Sequence, residues 1–183
     1  SGTQLLDIKN RIWSKEVCDA LGIDMSILPT LCDSCANCGN ITEEMVKVIG
    51  LEETCPVAAG AGDNASAAVG CGVVEDGDAF ATIGTSGVVF APTDEIKLDP
   101  MGRVHTFCSA VPNQWHVMGV IQAAGFSLKW IKDNLCIDIS ENAKKNGESS
   151  YVIIDDLAAK TPIGSNGVVY VPYLMGERTP HLD

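Results

Sequence analysis

Positive charge is what this sequence has least of: 12 Lys and Arg stand against 24 Asp and Glu, for a formal net charge of -12 at pH 7. The cations are scattered, so there is no basic stripe to neutralise a phosphate backbone, and nucleic acid is not expected as a partner. No apolar run approaches the roughly 20 residues that cross a bilayer, so no membrane partner is expected either. The opening SGTQLLDIKN lacks the charged segment and apolar stretch of an export signal. The expectation is a soluble, cytoplasmic protein. Histidine is also scarce. His105 and His116 fall on strands expected to be adjacent, but no carboxylate stands at ligand spacing, so they read as ordinary strand residues rather than a metal pair. Hydrophobic residues make up 46% of 183, too many for a disordered chain and enough for one ordinary core or two partial ones.

Cysteine, by contrast, is plentiful, with eight in the chain. Cys32, Cys35 and Cys38 form C-x-x-C-x-x-C, the kind of run that ligates iron-sulfur clusters or zinc. The fourth thiol, Cys55, lies beyond 16 intervening residues, and the nearest histidine is His105. The run therefore reads as a loop of reduced thiols, and no metal ligand is assigned. The alternative, a non-enzymatic metal-binding module built on these three residues, stays open. Cys18, Cys55, Cys71, Cys108 and Cys136 sit singly in apolar segments, the usual setting of buried thiols.

The local patterns divide the chain near Val73 to Gly77. Before it, WSKEVCDALG and ITEEMVKVIG predict two short helices, capped by Ser14 and Thr42 and stopped by Gly22 and Gly50. The segment between them, IDMSILPTLCDSCANCGN, reads as turn-rich connection. CPVAAG predicts a short buried strand, and DNASAAVGCG a helix of small residues. After the break the texture alternates. DAFATIGTSGVVFAPT predicts two strands hinged at Gly84-Thr85-Ser86-Gly87, and GRVHTFCSAV with NQWHVMGVI a second hairpin about Pro112-Asn113. AAGFSLKWIKDNL predicts an amphipathic helix, with Phe126, Trp130 and Ile131 opposite Lys129, Lys132 and Asp133. SYVIIDDLAAKT is expected to be another helix, and GVVYVPYLMGERTP a buried strand passing into a loop. Glu177-Arg178 reads as a structural ion pair, and Trp13, Trp115 and Trp130 as core or interface.

Two glycine-rich stretches carry the chemistry. In AAGAGDNASAAVG, Ala58 to Gly70, the only charge is Asp63, which alone reads as a helix N-cap. Gly84 to Gly87 has the parts of a phosphate-holding turn, glycines that let amides approach an anion and two hydroxyl donors, although alone it is an ordinary hairpin.

Their order along the chain is informative. AGAGDNASAAVGCGVVEDGDAFATIGTSGVVF, then GVIQAAGFSLKWIKDNL, then VPYLMGERTPHLD, resembles the FGGY family of carbohydrate kinases, and SGTQLLDIKNRIWSKEVCDALGID extends the resemblance over the whole chain. The resemblance implies an α/β fold of the ribonuclease H-like type, the actin and hexokinase superfamily. Residues 1–73 would be the end of the first, sugar-binding domain and residues 74–183 the beginning of the second, ATP-binding one. It implies that Asp63 is the catalytic base and Asn64 its sugar-contacting neighbour. Gly84, Thr85, Ser86 and Gly87 would hold nucleotide phosphate, with Gly125 and Lys129 on the helix lining the same pocket. The implied reaction is ATP-dependent phosphorylation of D-xylulose at O5, with ribulose, gluconate, glycerol or another polyol as alternatives. The implied cofactors are ATP and Mg2+, the main Mg2+-positioning residue lying outside this chain; the partner is a small sugar, and a homodimer is left open. No D-x-G-[ST] hairpin or G-G-G-A adenosine loop occurs. The chain is therefore expected to be a central piece of a longer kinase, inactive by itself.

Overall fold

The computed structural model describes residues 1–181, which contain eight strands and six helices. The first hairpin, β1 (Leu6–Asp7) and β2 (Ile12–Trp13), is followed by α1 (Lys15–Leu21) and a 3-10 turn at Met25–Ile27. Then come β3 (Asn37–Asn40), α2 (Glu43–Ile49), β4 (Pro56–Ala58) and α3 (Asp63–Gly70). Strands β5 (Phe80–Ile83), β6 (Gly87–Thr93), β7 (His105–Cys108) and β8 (Trp115–Ile121) form one sheet in the order β5-β6-β8-β7. Helices α4 (Gly125–Leu135), α5 (Ile137–Asn146) and α6 (Ser150–Ala159) follow. The chain divides into two compact units, Ser1–Phe80 with Val89–Gly119, and Ala81–Val88 with the residues from Val120 onward.

Local chemistry accounts for the short helices. The Ser14 hydroxyl accepts from the Val17 N–H at 3.3 Å, and the chain leaves α1 through Gly22 at φ 67°. Thr42 does the same for α2 through the Met45 N–H, with Glu43 and Glu44 in the first turn, where the helix dipole favours negative charge. Each such cap is worth about 1 kcal/mol.

In the first unit one aromatic ring from each strand of the sheet forms a transverse row. Phe80 of β5 stacks on Phe90 of β6 at 5.0 Å, Phe90 on His116 of β8 at 4.3 Å, and His116 meets Phe107 of β7 at 5.5 Å. Antiparallel pairing places Phe107 opposite His116 and His105 opposite Met118, so the two histidines are offset along the strands rather than facing each other. Phe90 is fully buried, and such cross-strand pairs contribute about 0.2–1 kcal/mol each.

Several expectations are corrected. The segment 23–40 is more than connection, because Asn37–Asn40 pairs antiparallel with β4. The two strands form a sheet of their own, and β4 is exposed rather than buried. Cys55 and Cys71 are exposed thiols, one leading into β4 and the other capping α3. Residues 168–171 form no strand: among the described residues nothing pairs with them, and Val168 and Val169 are 75% and 80% exposed. A β-branched run has strand propensity, but a ladder needs a partner. Glu177 does not pair with the Arg178 guanidinium. Its Oε1 accepts the Arg178 N–H at 2.7 Å and the Gln122 N–H at 3.1 Å, in a side chain 4% exposed. Among the described residues no helix is long and apolar enough to cross a membrane.

Candidate functional site

Asp63 is presented by a loop that the cysteine-rich segment holds in place. The Ala59 N–H donates to the Ala36 carbonyl at 3.0 Å, and the Gly60 N–H to that of Ser34 at 2.9 Å. Gly60 turns the chain at φ 79°, where a side chain would be strained. The N-cap of α3 is Gly62, which makes no side-chain cap, so Asp63 is the first helical residue rather than the cap. Its Oδ1 accepts from the Asn64 N–H at 2.8 Å and lies 3.4 Å from Asn64 Nδ2. The rest of the carboxylate is exposed. Behind it only Ala65 and Ala68 of α3 are buried, which is why small residues are needed there.

The carboxylate opens on a concavity of about 210 Å3 lined by Gly62, Asp63, Asn64, Phe107, His116 and Met118, among others. All of these belong to the first unit. His116 is 5% exposed, and burial pushes its imidazole down to about 4, so the ring is neutral at pH 7. The concavity thus has one carboxylate, one amide and one neutral imidazole, a set that can bind hydroxyl groups and take a proton from one of them. His116, Phe107 and Met118 were not singled out as site residues in the sequence. The one available signal was strand alternation, which puts His116 and Met118 on the same face of β8.

In the second unit the expected phosphate turn is built as a clamp. The Gly84 and Thr85 carbonyls accept the N–H groups that open α4: Ala124 to Thr85 at 2.9 Å, Gly125 to Gly84 at 2.8 Å and Phe126 to Thr85 at 3.2 Å. These bonds take the place of a side-chain cap, which α4 lacks. The fit is tight. A Cβ on Gly125 would lie 2.5 Å from the Gly84 oxygen, and one on Gly87 2.9 Å from Ile121 Cγ1. Gly84, Thr85 and Ser86 remain exposed on the outside of the turn. Lys129 is not brought to the turn by any contact described: its ammonium is ion-paired with Asp133, which raises its pKa, and Asp133 also pairs with Lys132.

The three clustered cysteines are all exposed and free, and desolvation, followed by the hydrogen bond and charge interaction with Cys32, pushes the Cys38 thiol up. Among the described residues no three His, Cys, Asp or Glu side chains gather as a metal site.

Comparison with known proteins identifies a family. The N-terminal domain of the FGGY family of carbohydrate kinases matches residues 1–70, and the C-terminal domain of that family matches residues 79–183. The chain is 38% identical to a xylulose kinase of Bacillus subtilis over all 183 residues, which make up 35% of that protein. A xyloylose kinase from Brucella ovis has a similar fold at a TM-score of 0.83 and 36% identity, over 100% of this chain and 35% of the other. A gluconate kinase from Lactobacillus acidophilus gives 0.85 at 26% identity, with the same two coverages. The chain thus spans about a third of the length of these relatives.

Proposed function

The chain belongs to the FGGY family of carbohydrate kinases, and from that premise we propose that it carries the proton-accepting carboxylate and part of the nucleotide site of an ATP-dependent kinase acting on O5 of D-xylulose. The observation that carries the reading is the exposed Asp63 carboxylate in the lining of a concavity that Asn64 and Ala65 also line. Residues 1–73 are assigned to the sugar-binding domain and 74–183 to the ATP-binding domain. The gap between the two matched segments, after residue 70 and before residue 79, supports this division.

Asp63 orients the acceptor hydroxyl and takes its proton as the new bond to phosphorus forms, the task left to a base in phosphoryl transfer. Asn64, hydrogen-bonded to Asp63, fixes the carboxylate and offers its amide to the sugar. ATP supplies the transferred phosphoryl group. The turn fits a polyphosphate: Thr85 and Ser86 are exposed hydroxyl donors on a loop held by three amides of α4, and Gly125 leaves no room for a side chain. Lys129, on the helix that opens at this turn, is assigned to the same nucleotide site, where a phosphate would take the place of its pairing with Asp133. For Mg2+ the described residues offer no cluster of three ligating side chains, so no step here is assigned to a metal ligand of this chain.

The likeness to a gluconate kinase supports a second reading, phosphorylation of an aldonate or another polyol at the same carboxylate. A coupled ADP-release assay on the protein that carries this sequence, run with D-xylulose, D-ribulose, D-gluconate and glycerol, separates the two. We expect the highest kcat/KM with D-xylulose; a higher value for D-gluconate selects the second reading, and turnover of none rejects both.

A further inference from the structure

We infer that His116 is a substrate-contacting residue whose imidazole hydrogen-bonds a hydroxyl of the sugar held against Asp63. The inference rests on the sugar-kinase reading and adds a second polar contact to its acceptor site. Three observations carry it. His116 lines the same concavity as Asp63 and Asn64. Its ring is held in plane by the stack on Phe90 at 4.3 Å and braced by Phe107 at 5.5 Å, so it is not a mobile side chain. Its Nδ1 is enclosed with no hydrogen-bond partner among the described residues.

An unpartnered nitrogen in a wall that also contains Phe107 and Met118 is unfavourable unless something polar meets the ring. Phenylalanine would fill the same aromatic row without that cost. The site therefore holds a polar atom that the fold itself does not use. A neutral imidazole is one donor and one acceptor, and a hydroxyl is both, so a sugar hydroxyl suits either tautomer. A metal ion would need more ligating side chains than these two, and among the described residues no three His, Cys, Asp or Glu gather; an anion would meet the Asp63 carboxylate. A polyhydroxy compound is the ligand class that satisfies both side chains at once.

The test uses His116→Phe and His116→Gln in the protein that carries this sequence, with D-xylulose as probe, or D-gluconate if the substrate panel selects it. By calorimetry without nucleotide, His116→Phe is expected to weaken sugar binding about tenfold or more, with the KM for ATP within about twofold and the thermal midpoint unchanged or raised. His116→Gln, which restores a polar atom, is expected to regain part of the loss; a purely packing role would predict the reverse order. Sugar affinity of His116→Phe equal to wild type overturns the inference. If that variant does not fold, the wild-type His116 Cε1–H resonance decides. It must shift on sugar addition with the same half-saturation as calorimetry, and a resonance unmoved at saturating sugar overturns the inference. A wild-type protein that binds and turns over no sugar of the panel refutes the kinase reading instead, an outcome seen before any variant is made.

Discussion

Asp63 and Asn64 are adjacent in sequence, yet only one of them can accept a proton, and the structure separates that role from the capping role. Gly62 is the N-cap of α3, and Asp63 makes its hydrogen bond through Oδ1 to the next residue. An Asp63→Asn variant keeps the shape and a carbonyl oxygen for that bond but has no proton acceptor. We expect kcat to fall about 100-fold or more, with sugar affinity and thermal midpoint close to wild type. Retention of kcat within about threefold in a folded variant would end the catalytic assignment. The residue itself was legible in the sequence as a lone charge in a small-residue run. His116 was not, because its meaning depends on Phe90 and Phe107 from other strands.

Helix α4 and the turn before β6 form a unit that neither segment specifies alone. The turn supplies the carbonyls that cap the helix, and the helix amides fix the turn. Gly125 lies at the junction. Gly125→Ala would put a methyl 2.5 Å from the Gly84 oxygen, an overlap that backbone cannot absorb cheaply, at a cost of about 1–3 kcal/mol. We expect a lower urea midpoint and a raised KM for ATP in this variant. Thr85→Val, which removes a hydroxyl at nearly constant volume, should instead leave the urea midpoint in place and raise the ATP KM about tenfold without altering sugar affinity. A changed sugar affinity with unchanged ATP KM would move Thr85 out of the phosphate site. The elements with self-contained signals, α1 and α2 with their Ser14 and Thr42 caps, were readable residue by residue, as was the Gly84 to Gly87 hinge. Strand β3 was not, because Asn37-Cys38-Gly39-Asn40 has no strand propensity and pairs only because β4 lies beside it.

At the scale of the whole molecule, the buried apolar side chains among the described residues are few and mostly small: Cys18, Ala65, Ala68, Phe90, Pro92, Ala123 and Ala143. Larger ones such as Ile83, Ile163, Val168 and Val169 are exposed. A contiguous apolar run at the surface is a docking face or a liability. The 183-residue chain produced alone is therefore expected to bind the dye ANS strongly, and fluorescence no higher than that of an ordinary compact domain would contradict the exposure described. What the sequence by itself determined were the features set by neighbours within about four residues: the caps, the glycine stops, the alternating strands, and the Gly-Asp-Asn and Gly-Thr-Ser-Gly motifs that carry the family resemblance. The tertiary structure decided which of these residues share a site. It anchored the cysteine segment to the Asp63 loop, turned Gly125 into the seat of a carbonyl, set His116 in the lining of the concavity that Asp63 also lines and left 168–171 without a strand partner among the described residues. Each of these outcomes rests on contacts between residues far apart in the chain, and whether a polar or apolar group is stabilised there depends on what the fold brings against it, which no local pattern encodes.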